Sequence, residues 1–407
     1  MIKKSTFKRR DFLKLLGAGA AAGSSASPIF SQLSPLAFAG DDNSDKKILV
    51  VLELSGGNDG LNTLVPYGDD AYYRHRPTLG IKPNKLRKID DHFGFNPDMS
   101  GMERLFKDGK MAVFHGCGYD QPSYSHFTSM AYWQTAAPNS GESLGWVGRL
   151  ADALDPNVTA NYLVNVDATQ SLAVVAKNHV PVVFDDPKEF GRKGLFNSRP
   201  LLDKDRVATS NSSQAQRRLL ELAKSARQAS EKVRSACENY STPIDYGIAP
   251  LDLNKIAALI NADMNTRLYY TSFRRNAFDT HVQQPNLHQR LLTYFSDAVS
   301  GFFSDMERIG RADDVVMLVF SEFGRRVAEN TNLGTDHGTA NNMYLIGNSV
   351  NGGHYGDLPS LTALTDGNMQ HTTDFRQVYA TAISGWLGLE SHEQVLRYRF
   401  KEFPVFS

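Results

Sequence analysis

The run Ile48-Leu49-Val50-Val51-Leu52-Glu53-Leu54 constrains the fold more than any other stretch of the chain. It is apolar at all positions but one and breaks at once into Ser55-Gly56-Gly57-Asn58-Asp59-Gly60. A strand with one wet face alternates apolar and polar residues, so a strand without alternation must be covered on both faces. Similar short runs recur at 111–114, 162–166, 172–176, 268–273, 315–320 and 343–346. Helical patterns lie between several of them. Residues 99–107 precede the second run, and Leu291, Leu292, Phe295, Val299, Phe302, Phe303 and Met306 keep helical spacing across 287–308. Strands alternating with helices predict an α/β fold whose sheet is mostly parallel and wrapped by helices.

Residues 205–240 break this rhythm. Leu219, Leu220, Leu222, Ala223, Ala226, Ala229, Val233 and Ala236 recur at roughly helical intervals in a charged stretch with few aromatics. That pattern predicts a helical insertion in a single domain over residues 40–407.

Composition narrows the function. The chain has 44 basic and 44 acidic side chains. Residues 1–39 hold Lys3, Lys4, Lys8, Arg9, Arg10 and Lys14 against Asp11 alone, so the remainder is mildly acidic. Nucleic acid and anionic lipid reward a concentrated basic face, and neither is expected as the main partner. Two cysteines, Cys117 and Cys237, exclude a disulfide scaffold, a zinc ribbon and an iron–sulfur cluster. They could form one disulfide or stay as two thiols.

The first residues look like an address. Phe7-Lys8-Arg9-Arg10-Asp11-Phe12-Leu13-Lys14 is followed by a weakly apolar stretch rich in Ala and Gly, then by Ala37-Phe38-Ala39 before Gly40. The Arg-Arg pair resembles a twin-arginine export signal, with Lys8 where Ser or Thr is usual. Removal of residues 1–39 by the export machinery would leave a periplasmic or secreted protein. No apolar run reaches the roughly 20 residues of a transmembrane helix.

In open α/β sheets ligands bind beyond the carboxyl ends of the strands, so the residues following each run are the ones to inspect. The first run leads to Asp59, with Asn58 and Asn62 beside it; the second to Ser123-Tyr124-Ser125-His126. After 268–273 come Asp279 and His281, after 315–320 come Glu322 and Arg325, and Asp336-His337 precedes the run at 343–346. There is no G-x-G-x-x-G dinucleotide fingerprint and no G-x-S-x-G elbow. Carboxylates with imidazoles are the ligand mix of Zn²⁺, Mn²⁺, Mg²⁺ or Ca²⁺. Asp59, Asp279, His281, Glu322, Asp336 and His337 are therefore candidate metal ligands. Arg325 could hold an anionic group bidentately or pair with Glu322 or Asp336. Asp374 and Arg376 open the last helical pattern as a cap or an ion pair.

Taken in order, Ser55-Gly56-Gly57-Asn58-Asp59-Gly60-Leu61-Asn62, Ser125-His126-Phe127, Phe278-Asp279-Thr280-His281, Ser321-Glu322-Phe323-Gly324-Arg325, Thr335-Asp336-His337-Gly338 and Thr373-Asp374-Phe375-Arg376 resemble the exported bacterial proteins of domain-of-unknown-function family 1501. That family is similar to the alkaline phosphatase and sulfatase superfamily. The resemblance implies a three-layer α/β/α sandwich with metals at the strand mouths and Ser125 as an alkoxide nucleophile. Asp59 matches the acid after the superfamily's first strand. Asp279 and His281 stand closer together than its usual pair, and Phe323 replaces the histidine expected after Glu322. His354 and His371 are reserve ligands or loop histidines. Two functions follow as expectations. One is a metal-dependent hydrolase of phosphate or sulfate esters; the other is a non-catalytic periplasmic or cell-surface protein that keeps the fold to bind a glycan, a protein partner or the cell surface.

Overall fold

The computed structural model describes residues 47–188, 193–194, 197–200 and 213–406. The expected export signal, residues 1–39, lies outside them.

The central sheet is built from strands β1 (Ile48–Leu54), β2 (Met111–Gly118), β3 (Leu163–Val166), β4 (Val182–Phe184), β5 (Leu268–Phe273), β6 (Val315–Phe320), β7 (Asn341–Ile346), β8 (Gly353–Tyr355) and β9 (Thr373–Asp374). Their order is β8-β2-β7-β6-β1-β5-β3-β4, with β9 also paired to β2. The pairs β1–β5, β1–β6, β5–β3 and β3–β4 are parallel. Only β7 runs against its neighbours, β6 and β2.

Both faces of β1 are covered, as its unbroken apolar run requires. Ile48, Val50, Leu52 and Leu54 pack into one layer, and Leu49 and Val51 into the other. The first layer contains helices α1 (Ser100–Lys107), α4 (Gln214–Asn239), α5 (Leu253–Asn261) and α6 (Gln284–Arg308). The second contains α2 (His126–Thr135), α3 (Trp146–Leu154) and α7 (Phe375–Ala380). The result is a three-layer α/β/α sandwich with a mainly parallel sheet.

Along α6 the residues Leu291, Leu292, Phe295, Val299, Phe302, Phe303 and Met306 are all buried. Truncating one such aromatic to Ala costs about 3–5 kcal/mol. The helix α4 turns Ala229, Val233 and Ala236 into the same core; the side chains of Leu219, Leu222, Ala223 and Ala226 lie outside the described residues. The part of that stretch before Ser213 lies outside the described residues.

One strand expectation fails. Residues 172–176 form a 3₁₀ turn at Leu172–Val174, because the Ser171 hydroxyl accepts from the Ala173 amide and caps it. The carbonyls of Leu172 and Ala173 then lie against Gly145, where a Cβ would meet them at 2.0–2.1 Å. Both thiols are free: Cys117 is buried in β2 and Cys237 is half-buried on α4.

The parallel strands β1, β2, β5 and β6 end at one edge of the sheet, where antiparallel β7 begins. The segments leaving this edge carry the site.

Candidate metal centre

Gly56 and Gly57 let the loop after β1 lie flat against its neighbours. Both have positive φ, +114° and +66°. A Cβ on Gly56 would meet the Asp279 amide at 2.6 Å, and one on Gly57 would meet the Phe323 ring at 2.2 Å. The Gly56 amide donates to both oxygens of the buried Glu322 carboxylate, at 2.9 and 3.1 Å. This fixes Glu322 at the exit of β6.

Glu322 in turn orients a histidine. His126, the first residue of α2, places Nδ1 2.8 Å from Glu322 Oε1. A carboxylate only accepts, so Nδ1 carries the proton and Nε2 keeps its lone pair. The same logic applies to His337, whose Nδ1 lies 2.6 Å from the Tyr124 carbonyl. His281 stands between two carboxylates, with Nδ1 3.3 Å from Asp336 Oδ1 and Nε2 2.9 Å from Asp279 Oδ1, so either ring nitrogen can carry its proton. The Nε2 lone pairs of His126 and His337 therefore face inward, beside His281 Nε2.

They converge on one carboxylate atom. Asp279 Oδ1 is 2.9 Å from His281 Nε2, 3.2 Å from His337 Nε2 and 3.3 Å from His126 Nε2. His281 Nε2 and His337 Nε2 are 2.9 Å apart. His126 Nε2 is buried without a hydrogen-bond partner. Acceptors crowded in this way repel unless a positive charge sits among them. In a four-ligand site with bonds of 2.0–2.1 Å, neighbouring donor atoms lie about 3.3 Å apart, close to these spacings. His126, Asp279 and His337 are the group of described residues whose ligand atoms all lie within 4.8 Å of one another. These three residues fit a divalent cation as donors; His281 Nε2 lies against Asp279 and His337 but outside that group. Nδ1–H groups tied to a carboxylate or carbonyl are the usual support for imidazole ligands.

The electrostatics agree. Burial alone would raise the Asp279 pKa, but the Arg325 hydrogen bond and charge, with the close His337 ring and the His126 charge, bring it down to about 2. Burial lowers the His126 pKa, yet the Glu322 and Asp279 carboxylates outweigh it and raise it overall. The site thus draws positive charge. His337 is lowered by burial, which keeps its imidazole neutral and available as a donor to metal. Phe323, buried where the resemblance expects a histidine, packs its ring 4.9 Å from His126 and 4.7 Å from His337. It walls the imidazoles rather than ligating.

The expected site residues therefore divide. Asp279, His281 and His337 come together. Glu322 and Asp336 do not ligate directly; each holds the Nδ1 side of an imidazole instead. Asp59 is a correction. It is fully buried, and its Oδ2 accepts from Arg76 Nη1 at 2.7 Å and from Gln284 Nε2 at 2.6 Å. Its charge is already matched, because burial pairs it with a guanidinium. Arg325 is a second correction as an anion binder. Its Nε–H donates to the Gly57 carbonyl, its Nη1 to Thr335 and its Nη2 to Gly56, Phe278 and Asp279. With its donors facing protein acceptors, it clamps three loops and pairs with Asp279 rather than Glu322 or Asp336.

Asn58 and Asn62 likewise serve the fold, accepting from His288 and from Tyr72 and Arg76. His354 joins His115 and Asp90, and His371 faces Asp120. Asp374 caps α7 through the Arg376 amide and pairs with the Arg376 side chain. Ser125 is exposed at the start of α2, its hydroxyl free of any capping bond. It lies between Tyr124, which braces His337, and the ligand His126. That histidine was noted in the sequence only beside the serine and not among the expected ligands. The available signal was its place in the segment that follows β2.

Residues 46–399 match the family described as protein of unknown function (DUF1501). The chain belongs to that family. No curated protein matches this DUF1501 chain. Among solved structures it is similar to a protein in the alkaline phosphatase superfamily from Vibrio parahaemolyticus, with TM-score 0.42 and 11% identity over 86% of this chain and 68% of that one. The lipoteichoic acid synthase LtaP from Listeria monocytogenes gives TM-score 0.41 and 10% identity, covering 86% and 74%. A phosphonate monoester hydrolase from Silicibacter pomeroyi gives 0.34 and 8%, covering 84% and 73%. No helix among the described residues of the DUF1501 protein is long and apolar enough to cross a membrane.

Proposed function

We propose that this protein is an exported, metal-dependent hydrolase of phosphate or sulfate monoesters. The observation that carries the reading is the convergence of the His126, His281 and His337 Nε2 atoms on Asp279 Oδ1. His126, Asp279 and His337 would hold one divalent cation, with His281 beside them. Such a cation would supply Lewis-acid polarisation of the ester and favour the ionised form of a nearby hydroxyl. Ser125, next to His126 in the chain, would provide that hydroxyl. Arg325 holds Asp279 in position and keeps it ionised. Glu322 keeps His126 in the tautomer that faces inward, and Asp336 stands behind His281. Residues 1–39 would direct export by the twin-arginine route to the periplasm or beyond.

One observation favours a second reading, a non-catalytic binding protein. Asp59 and Arg325 are committed to protein partners, so the centre offers one cation site and no free arginine for the transferred group. The first reading requires metal and turnover; the second requires neither. Under the first, mature protein analysed by elemental mass spectrometry should carry about one equivalent of Zn²⁺, Mn²⁺ or another divalent ion. It should hydrolyse 4-nitrophenyl phosphate or sulfate and lose that activity, but not its metal, as Ser125→Ala. Protein that stays metal-free in added Zn²⁺, Mn²⁺ and Ca²⁺ overturns the hydrolase reading and leaves the binding protein.

A further inference from the structure

One buried acid near the centre has no part in the reading above. Glu53 is the single polar residue in the run of β1 and is 1% exposed. Its Oε2 accepts from the Tyr270 hydroxyl on β5 and from Gln134 Nε2 on α2, the latter at 2.9 Å, while Oε1 has no partner. A carboxylate stripped of water keeps its charge only where cations or several donors surround it. The charged groups acting on Glu53 are instead acids, Glu322 beyond β6 and Asp167 beyond β3. The other titratable groups facing it are Tyr270 and Tyr379 on α7, phenols whose pKa values burial and the Glu53 charge push up. No base pairs with it among the described residues. Burial, then the Glu322 charge, therefore favours its neutral form and lifts its pKa to about 7.

Two connections tie this acid to the metal centre. Along the sheet, Glu53 stands opposite Phe320, two residues before Glu322, and the Gly56 amide donates back to the Glu322 carboxylate. Along α2, His126 opens the helix as a ligand and Gln134 reaches Glu53 from its far end. Between them the Ser129 hydroxyl donates to the Glu322 carbonyl at 2.6 Å. A divalent ion at His126, Asp279 and His337 would bring positive charge to this cluster of acids, which favours ionised carboxylates. We propose that Glu53 is a proton-linked switch of the centre, protonated while the centre is empty and ionised once a divalent ion is bound. The proton leaves to solvent, and the carboxylate left behind adds to the charge that balances the ion. Tyr270 and Gln134 then donate to a full charge, which strengthens both bonds and the hold on α2. Linkage is reciprocal: an ion that drives the proton off Glu53 is itself held more tightly as that proton is lost. This rests on the metal centre of the hydrolase reading, not on turnover.

Infrared difference spectroscopy reads the carboxyl proton directly. Zn²⁺ titrated into metal-free protein just below neutral pH should remove a buried carboxylic-acid C=O band and add carboxylate bands. Glu53→Gln should still bind Zn²⁺ and lack both changes. Tyr270→Phe, which deletes a donor to the charged form, should keep the acid band and move its loss to higher pH. Affinity, read by chelator competition, gives a second measure in which protons lost by the ligands themselves cancel. If the ion displaces the Glu53 proton equilibrium about tenfold, the ratio of wild-type to Glu53→Gln affinity should grow about five- to tenfold between about pH 5.5 and pH 8. Zn²⁺ binding with no loss of an acid band, or a loss that persists in Glu53→Gln, overturns the inference and leaves the metal centre standing. An affinity ratio that is flat across pH overturns it as well. Wild-type protein that binds no divalent ion overturns the metal centre, and this inference with it.

Discussion

Replacing Asp59 separates a structural acid from a metal ligand. Its carboxylate is fully buried, Oδ2 takes two short hydrogen bonds from Arg76 and Gln284, and Oδ1 has no partner. Arg76 is equally buried and otherwise meets only the Val327 and Arg326 carbonyls and Asn62 Oδ1. Asp59→Ala leaves that guanidinium without its counter-charge. Breaking one side of a buried pair costs about 3–5 kcal/mol. For a domain of this size that is a fall in Tm of roughly 4–7 °C. Burial pushes the Asp59 pKa up, but the Arg76 charge and hydrogen bond win and lower it. A depressed carboxylate pKa gives stability that is present above the unfolded value and lost as pH falls through the folded one. The wild-type advantage should therefore be flat from pH 5 to 8 and shrink only below pH 4. Scanning fluorimetry across pH, with metal content measured on the same samples, is the assay. Arg76→Met should be similarly unstable, and the two substitutions together should cost clearly less than their sum. If Asp59→Ala loses the metal while His126→Ala retains it, the assignment made here is wrong.

Four further outcomes are expected. His126→Ala, Asp279→Ala and His337→Ala should each abolish stoichiometric metal, whereas Glu322→Gln should weaken metal affinity by about 10–100-fold, read by chelator competition. Gly57→Ala should weaken metal binding although it touches no ligand, because the new methyl would displace the Phe323 ring from His126 and His337. Arg325→Lys cannot reproduce contacts to four carbonyls and Asp279, and should lower stability by about 2–4 kcal/mol in urea titration. Burial, reinforced by the Glu322 charge, raises the Glu53 pKa to about 7 despite donors from Tyr270 and Gln134. A raised carboxylate pKa penalises folding as pH climbs from the unfolded value through 7, so Glu53→Gln should gain about 1–3 kcal/mol relative to wild type between pH 5 and 8. A constant difference across that range would count against the assignment.

The layers were legible because burial on two faces leaves a mark on every residue of a strand. Ile48–Leu54 and Val315–Phe320 carry that mark, and both lie in the centre of the sheet. Strands at or near the edge, Val182–Phe184 and Gly353–Tyr355, are three residues long with partly exposed positions, too short to show a period. The run at 172–176 has the composition of a strand, but the Ser171 cap and the contact with Gly145 decide its conformation. At the site, sequence located the acids and histidines at strand exits without showing which of them share an ion. Asp59 and Asp279 look alike in sequence. Arg76, 17 residues beyond Asp59, claims one of them, and no local pattern announces that pairing.

The charges at the mouth favour a divalent ion over a proton or a monovalent cation. Of the four acids expected there, Asp59 is cancelled by Arg76 and Asp279 by Arg325. Glu322 and Asp336 remain behind His126 and His281, with the Arg326 charge acting on Asp336. A doubly charged ion among the donors would balance the negative charge that is left. A single proton on His126 leaves the cluster negative and hostile to an anionic ester. The same accounting explains why Glu322 and Asp336 need not touch the ion. From behind His126 and His281 they raise ligand basicity and supply the balancing charge, while the inner positions stay with nitrogen donors and one carboxylate, a set that suits Zn²⁺ better than Ca²⁺ or Mg²⁺.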